Sequence, residues 1–261
     1  MSSGARPPYI LEASDPSSGR PATVIFLHGY GDDAQGLPLG LAQQFQFYSK
    51  LPYIRWVLPN APFNAEAMMQ AWYLPRALPH TATKPRVPGQ AEDDDETEAE
   101  DEEGILQIVA AVDKLVQDEI DLRGDGGEPV DAEPAARIIV GGFSQGCAVC
   151  LAWSLVGKLR HKVAGVVCLS GYFPLADRIA NLRQNDGSRL SSEAEKKKWF
   201  YVHGHKDMLV PTRMFRQGKE ELAKYVPADA VEGHLYEGMG HSTCSTELRD
   251  LLGWLEKVIP P

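Results

Sequence analysis

Short apolar runs, several of them rich in β-branched residues, recur along the chain between polar and amphipathic stretches. A run of about four to eight apolar residues between turn residues is typical of a strand buried on both faces. The runs predict strands at residues 23–27, 54–58, 137–141, 163–169, 199–204 and 232–236.

Amphipathic segments lie between these strands. The clearest covers residues 104–120, where one helical face collects Ile105, Ile108, Val109, Val112, Val116 and Ile120. Further helices are predicted at 37–48, from 147 to about 158, at 212–225 with Thr212 as the cap, and at about 242–258. Because strands alternate with helices, the sequence predicts an α/β fold: a mostly parallel central sheet with helices on both faces.

The remaining segments lack a regular pattern. Residues 1–20 predict an irregular N-terminal segment, and residues 21–261 a single domain. Residues 81–103 are rich in Pro, Thr and acids, so we expect a mobile loop there. Residues 121–133 predict a connection, and residues 175–198 predict a loop or lid.

The net charge of −10 comes from one place. Residues 92–103 hold ten carboxylates, which leaves 36 − 10 = 26 acids against 26 basic residues elsewhere. Because the rest of the chain is neutral and has no evident basic patch, the sequence argues against nucleic-acid binding. We interpret the acidic run as a solvated segment, with a metal site as the less favoured alternative.

The four cysteines do not form a disulfide framework, which favours a reducing compartment. Cys147 and Cys150 form a C-x-x-C pair, but it falls inside a predicted helix and no second ligand pair exists, so we set aside a metal or redox role. Residues 1–8 lack the apolar core of a signal peptide. We therefore expect a cytoplasmic protein, with a nuclear location as a further alternative.

The segment 142–146, Gly-Phe-Ser-Gln-Gly, is the first candidate for chemistry. It lies between a predicted strand and a predicted buried helix, which is the context of the nucleophile elbow of α/β-hydrolases. There Ser144 would project its hydroxyl toward substrate, while the small residues Gly142 and Gly146 let strand and helix pass closely. The amide of Gln145 would face the negative charge that develops during acyl transfer.

A second amide donor is predicted at residues 28–32, His-Gly-Tyr-Gly-Asp, directly after the first predicted strand. This pattern matches the loop that completes the oxyanion hole in such hydrolases, with the Tyr30 N–H as the donor. A plain glycine turn is the alternative. His28 comes too early in the chain order to act as the base, so we interpret it as a structural residue.

The partners of the serine should follow it in the order acid, then histidine, each just after a strand. Asp207 follows the strand at 199–204, and His241 follows the strand at 232–236. In this arrangement His241 would accept the proton of Ser144 and Asp207 would orient the imidazole. The less favoured acids and histidines are Asp177, Asp186, His203, His205 and His234.

Together, GGFSQG at 141–146, HGYGD at 28–32, D-x-LVP at 207–211 and EGMGHSTC at 237–244 resemble the acyl-protein thioesterases. That family belongs to the carboxylesterase and lysophospholipase group of α/β-hydrolases, and the resemblance covers most of residues 22–258. It implies a triad of Ser144, Asp207 and His241 with oxyanion donors Tyr30 and Gln145. It also implies a cytosolic enzyme, without cofactor or metal, that hydrolyses S-acyl groups such as palmitoyl on cysteine, together with carboxylesters.

The chain departs from the family pattern at Cys147, where a second glycine is usual, and in the loops at 63–75 and 172–198. Those loops should shape the acyl site. We predict substrate contacts from Met68, Met69, Trp72, Tyr73 and Phe173, although apolar residues in such a loop also serve simply to cover a sheet.

Three functions remain open from the sequence. The chain acts on S-acylated proteins, or it is a general carboxylesterase or lysophospholipase, or it binds ligands without catalysis on the same fold. Filled triad positions disfavour the last. Transient membrane contact is compatible with the first two, and the sequence predicts no oligomeric state.

Overall fold

The computed structural model describes residues 6–74, 100–124, 137–185 and 197–261. Its centre is a seven-stranded sheet with the strand order β1-β3-β2-β6-β7-β8-β9, and β4 and β5 form a separate small hairpin. All neighbouring strands of the sheet are parallel except β1, which runs antiparallel to β3. The strands are β1 Tyr9–Leu11, β2 Ala22–Leu27, β3 Ile54–Leu58, β4 Phe63–Asn64, β5 Met69–Gln70, β6 Ile138–Phe143, β7 Gly165–Leu169, β8 Lys198–Gly204 and β9 Val231–Tyr236.

Helices cover both faces of this sheet, as expected when apolar runs alternate with amphipathic segments. The helices are α1 Leu37–Phe47, α2 Glu102–Gly124, α3 Gln145–Val156, α4 Ile179–Asn185, α5 Thr212–Leu222 and α6 Ser245–Val258. Apolar side chains of α2, α3 and α5 pack in one core cluster, and those of α1 and α6 pack in the other. In β2, Ile25 and Leu27 enter the first cluster and Val24 and Phe26 the second, because successive strand residues point to opposite faces.

This arrangement brings the carboxyl ends of the parallel strands to one edge. The segments that follow β2, β6, β8 and β9 carry Tyr30, Ser144, Asp207 and His241 respectively. In open α/β sheets, ligand sites form at this edge. The strand order also places β6 in the middle of the sheet, so that the serine is flanked by loops from both directions.

Several sequence predictions are corrected by the structure. The segment 1–20 is not wholly irregular, because Tyr9–Leu11 adds an edge strand. The 175–198 segment contains helix α4, and its residues 186–196 lie outside the described part of the chain. Thr212 does not cap α5, since the N-cap residue is Pro211 and the Thr212 hydroxyl donates to the carbonyl oxygen of His205.

Helix α2 is longer at both ends than predicted. It takes Glu102 and Glu103 from the predicted acidic loop and continues to Gly124, into the predicted connection. Asp101 precedes it and accepts a hydrogen bond from the Gly104 N–H at 3.0 Å, as a helix-capping carboxylate does. The rest of the acidic run, up to residue 99, lies outside the described residues.

Lys197, at the entry to β8, is buried among carbonyl groups. Its Nζ donates to the carbonyl oxygens of Ser154 (2.9 Å) and Arg160 (3.0 Å). Burial, reinforced by the nearby positive charges of Arg160 and Arg183, lowers the pKa of Lys197 to about 7. Between this value and the ordinary lysine pKa of 10.5, the unfolded chain binds more protons than the folded one, so stability rises with pH.

We therefore expect Lys197 to contribute a rise in the free energy of unfolding between pH 7 and pH 10, so that the change over this range is roughly 1–3 kcal/mol less favourable in the Lys197→Met variant than in the wild type. Urea titrations at both pH values measure it. Lys198→Met, on the partly exposed neighbour, is the control and should retain the wild-type pH dependence. An equal pH dependence in all three proteins would contradict the prediction.

Candidate active site

Ser144 lies at the turn between β6 and α3 in a strained backbone conformation, with φ 54° and ψ −117°. Non-glycine residues rarely adopt positive φ, and such strain is concentrated at functional sites. The turn needs glycines on both sides: a Cβ on Gly142 would lie 2.5 Å from the Gly146 carbonyl carbon, and one on Gly146 would meet the carbonyl oxygen of His28 at 2.6 Å. The local sequence thus folds into the sharp strand-to-helix turn that presents the hydroxyl.

The hydroxyl, an imidazole and a carboxylate form one hydrogen-bonded chain. His241 Nε2 lies 2.9 Å from Ser144 Oγ, and His241 Nδ1 lies 2.7 Å from Asp207 Oδ2. The residues are separated by 97 and 34 positions in sequence. The structure therefore brings together the three residues that the sequence selected.

Two backbone hydrogen bonds connect the loops that carry the acid and the histidine. The Lys206 N–H donates to the carbonyl oxygen of Met239 at 2.9 Å, and the His205 N–H donates to that of Tyr236 at 2.9 Å. The pairing of β8 and β9 therefore continues beyond the strands and sets Asp207 beside His241. The Phe143 ring packs against the other side of the imidazole, with 4.8 Å between ring centroids.

Asp207 is held as a carboxylate. Burial acts to raise its pKa, but the hydrogen bonds from His241 and the Val210 amide outweigh it, so the pKa lies below the ordinary aspartate value. Oδ1 accepts from the Leu209 and Val210 amides at 2.9 and 2.8 Å, which fixes the side chain. Because the ionised Asp207 accepts a hydrogen bond from His241 Nδ1, the Nδ1 atom carries the proton and Nε2 is left as the acceptor for the serine proton.

The predicted oxyanion donors are the backbone amides of Tyr30 and Gln145. Within the described part of the chain, neither the Tyr30 amide nor the Gln145 amide donates to another backbone carbonyl. Gly29, next to Tyr30, packs so closely on the elbow that a Cβ on it would lie 3.4 Å from Ser144 Cβ. Two amides beside the hydroxyl are the donors that a tetrahedral oxyanion requires.

His28 is a buried structural residue, as the sequence indicated. The Ala61 N–H donates to its Nε2 at 3.0 Å, so Nδ1 carries the proton and donates to the Gly29 carbonyl oxygen at 2.7 Å. Burial lowers the pKa of His28 and keeps the ring neutral. Because the Gly29 C=O and the Tyr30 N–H belong to one planar peptide group, this hydrogen bond also sets the direction of the Tyr30 donor.

The side chain of Gln145 has a role that the sequence did not reveal. Its Oε1 accepts from the Trp72 N–H at 3.0 Å, and its Nε2 donates to the Tyr73 carbonyl oxygen at 2.9 Å. The Trp72 indole N–H in turn donates to the His28 carbonyl oxygen at 2.7 Å. These hydrogen bonds join the elbow, the 71–74 segment and the loop that follows β2. The sequence signals this role only by placing an amide side chain next to the serine.

The predicted substrate-contact residues separate into two groups. Trp72, Tyr73 and Phe173 are buried beside the elbow. Met68 and Met69 lie on the β4–β5 hairpin, where Met68 is 73% exposed. The hairpin lies next to the β2 loop, because the Gly31 N–H donates to the Gln70 carbonyl oxygen at 2.9 Å.

The less favoured histidines are placed away from the serine hydroxyl. His203 is fully buried, and its Nε2 donates to the Val210 carbonyl oxygen at 2.7 Å. The same Nε2 lies 3.5 Å from Asp207 Oδ2. His205 lies near Glu237, and His234 pairs with Glu232 on β9. Asp177 precedes α4, and Asp186 lies outside the described residues.

Cys147 and Cys150 are buried in α3, and burial raises the pKa of the Cys150 thiol. Among the described residues, no cluster of His, Cys, Asp and Glu could hold a metal ion. Helices long and apolar enough to cross a membrane are likewise absent from the described ranges.

The comparison with known proteins agrees with this geometry. A family model described as Phospholipase/Carboxylesterase matches residues 10–259. The chain belongs to this family. Acyl-protein thioesterase 1 of Mycosarcoma maydis is 37% identical over 252 residues, which cover 92% of each chain. Acyl-protein thioesterase 1 of Yarrowia lipolytica is 31% identical over 258 residues, covering 97% of this chain and 99% of that protein.

Among solved structures, acyl-protein thioesterase 2 of Zea mays superimposes with a TM-score of 0.65 at 23% identity, covering 97% of this chain and 98% of that one. This likeness concerns the fold. Together with the family match and the parallel sheet, it confirms the predicted α/β-hydrolase architecture.

Proposed function

We propose that this protein is a serine hydrolase that cleaves acyl thioesters, including S-acylated cysteine on proteins, and carboxylesters. The observation that carries the proposal is the hydrogen-bonded chain Ser144–His241–Asp207 at the carboxyl edge of the sheet. The thioester part is supported by the relatives, which are named acyl-protein thioesterases and match this chain over nearly the full length of both proteins.

The geometry supports a two-step acyl transfer. Ser144 Oγ attacks the acyl carbon while His241 Nε2 takes its proton, and the carbonyl oxygen becomes an oxyanion within reach of the Tyr30 and Gln145 amides. Collapse breaks the bond to the thiolate or alkoxide, which receives the proton from His241. Water then attacks the acyl-serine with the same imidazole as base, releasing the fatty acid. Asp207 stabilises the imidazolium in both steps.

The rim of the site supports a substrate that is presented near lipid. Apolar side chains that are exposed there include Phe63 and Met68 on the hairpin and Met208 and Leu209, which directly follow Asp207. An exposed apolar rim around a site indicates contact with a protein or a membrane surface. Transient membrane contact is therefore part of the proposal. A cytoplasmic location is proposed separately, on the resemblance to the acyl-protein thioesterases.

A chain-length series tests the function. We expect kcat/KM to rise with acyl length from butanoyl to dodecanoyl in both esters and thioesters, by up to about fourfold per methylene that becomes buried. Hydrolysis of a palmitoylated cysteine peptide should exceed that of its acetylated counterpart. Maximal rates on acetyl or butanoyl esters, with no release from the palmitoylated peptide, would instead identify a general carboxylesterase. No hydrolysis of any acyl substrate would leave only the ligand-binding alternative.

A further inference from the structure

Two segments flank the elbow and form its buried apolar surroundings. The first is 71–74, held on the Gln145 side chain as described above. The second is 171–175, where a Cβ on Gly171 would lie 2.7 Å from the carbonyl oxygen of Ser144. The hydroxyls of Tyr73 and Tyr172 are hydrogen-bonded to each other across the two segments. We call the two segments the walls.

Both walls end on adjacent carboxylates at the start of α2. The Leu74 N–H donates to Asp101 Oδ2 at 2.8 Å, and the Leu175 N–H donates to Glu100 Oε2 at 2.6 Å. Asp101 Oδ1 also caps α2 through the Gly104 N–H. Two backbone donors from different loops thus converge on two residues that are neighbours in sequence.

The hydrogen bond at Glu100 holds an unfavourable conformation. Leu175 is 2% exposed and has a φ of +52°, which a β-carbon makes costly. A buried amide without an acceptor is costly as well, so the hydrogen bond to the Glu100 carboxylate stabilises this shape of the segment. Burial and the nearby Asp177 raise the pKa of Glu100, which nevertheless retains its acceptor oxygen.

Resting on the proposed function, we propose that Glu100 and Asp101 are positioning residues that determine acyl-chain selectivity by holding both walls beside Ser144. Neither carboxylate forms a hydrogen bond to a triad residue or to an oxyanion donor in the described structure. The reacting carbonyl needs only the triad and the two amides, whereas a long acyl chain needs fixed apolar walls against which to pack. Loosening the walls should therefore lower the activity on long acyl chains and leave the activity on short acyl chains nearly unchanged.

Glu100→Ala removes the acceptor, and Glu100→Gln retains an oxygen at the same position. We expect the ratio of kcat/KM for dodecanoyl over butanoyl p-nitrophenyl esters to fall about tenfold in Glu100→Ala, mainly through a higher KM for the long ester, and to recover in Glu100→Gln. The butanoyl value should stay within about threefold of wild type. Glu103→Ala is the matched control, because Glu103 is exposed on α2 and, among the described residues, its side chain accepts a hydrogen bond only from Gln107 of the same helix.

Asp101→Asn is the second variant, and it applies if Glu100→Ala does not fold. Its single oxygen cannot serve both the Leu74 and the Gly104 amides in the present geometry, so the ratio should fall in the same direction. An unchanged ratio, or an equal loss on both esters together with a lower Tm, would overturn the inference while leaving the hydrolase intact. Wild-type protein that hydrolyses neither ester would overturn the proposed function itself.

Discussion

Ser144→Ala should abolish acyl-ester and thioester hydrolysis, with kcat falling by roughly 10⁵- to 10⁶-fold. The variant retains the sharp turn but loses the oxygen that lies 2.9 Å from His241 Nε2. No acyl-enzyme can form, and what remains is the acceleration from substrate binding and from the Tyr30 and Gln145 amides. Steady-state hydrolysis of the dodecanoyl ester and covalent labelling by an alkyl fluorophosphonate both measure this loss.

Ser170 provides a matched control for this experiment. It lies at the end of the neighbouring strand β7 with a similar φ of +50°, and its buried hydroxyl has no partner within the described part of the chain. Ser170→Ala should therefore retain hydrolysis within about threefold and keep the fluorophosphonate label. Substantial turnover by Ser144→Ala with a normal Tm would remove the serine from the mechanism.

The reactive residues could be predicted from sequence because each is tied to the end of a strand. A buried parallel strand is recognisable as a short apolar run, and its carboxyl end then fixes where the next residue lies. Ser144, Asp207 and His241 follow β6, β8 and β9, so their order and spacing sufficed without any knowledge of contacts. Strand ends were predicted within about two residues for the same reason.

The residues that hold the site together could not be predicted in this way. The Gln145 side chain, the Trp72 indole and the Glu100 carboxylate act on backbone groups of loops distant in sequence. Loop backbone geometry is set by tertiary packing rather than by local pattern, so these contacts leave no periodic signal. Glu100 was moreover part of a run of carboxylates, whose usual interpretation is solvation.

The edge strand β1 was missed for a related reason. Tyr9–Leu11 is too short to show alternation and is surrounded by residues typical of irregular segments. The segment is identifiable as a strand only by its pairing with β3, and that pairing is a long-range contact that the local sequence does not reveal. The small hairpin of β4 and β5 was predicted as a loop on the same grounds.

Asp207→Asn should lower kcat by about 10⁴-fold, the scale seen when this member of a serine triad loses its charge. The amide oxygen can still accept from the Leu209 and Val210 amides, which directs the NH₂ group toward His241 Nδ1. Nδ1 must then become the acceptor, so the proton moves to Nε2. An imidazole in that tautomer cannot take the proton of Ser144.

The rival acid is the natural control. Asp177→Asn should stay within about threefold of wild type, because His241 Nδ1 is already bonded to Asp207 Oδ2 at 2.7 Å. Both variants keep the shape of the side chain, so kcat, a thermal scan and the pH dependence of kcat/KM can be compared directly. The 2.7 Å hydrogen bond from His241 Nδ1 to Asp207 can affect kcat this strongly only if the imidazole is the base. Near-normal kcat in Asp207→Asn, or a large loss of kcat in Asp177→Asn, would therefore show that Asp207 is not the carboxylate that orients the imidazole.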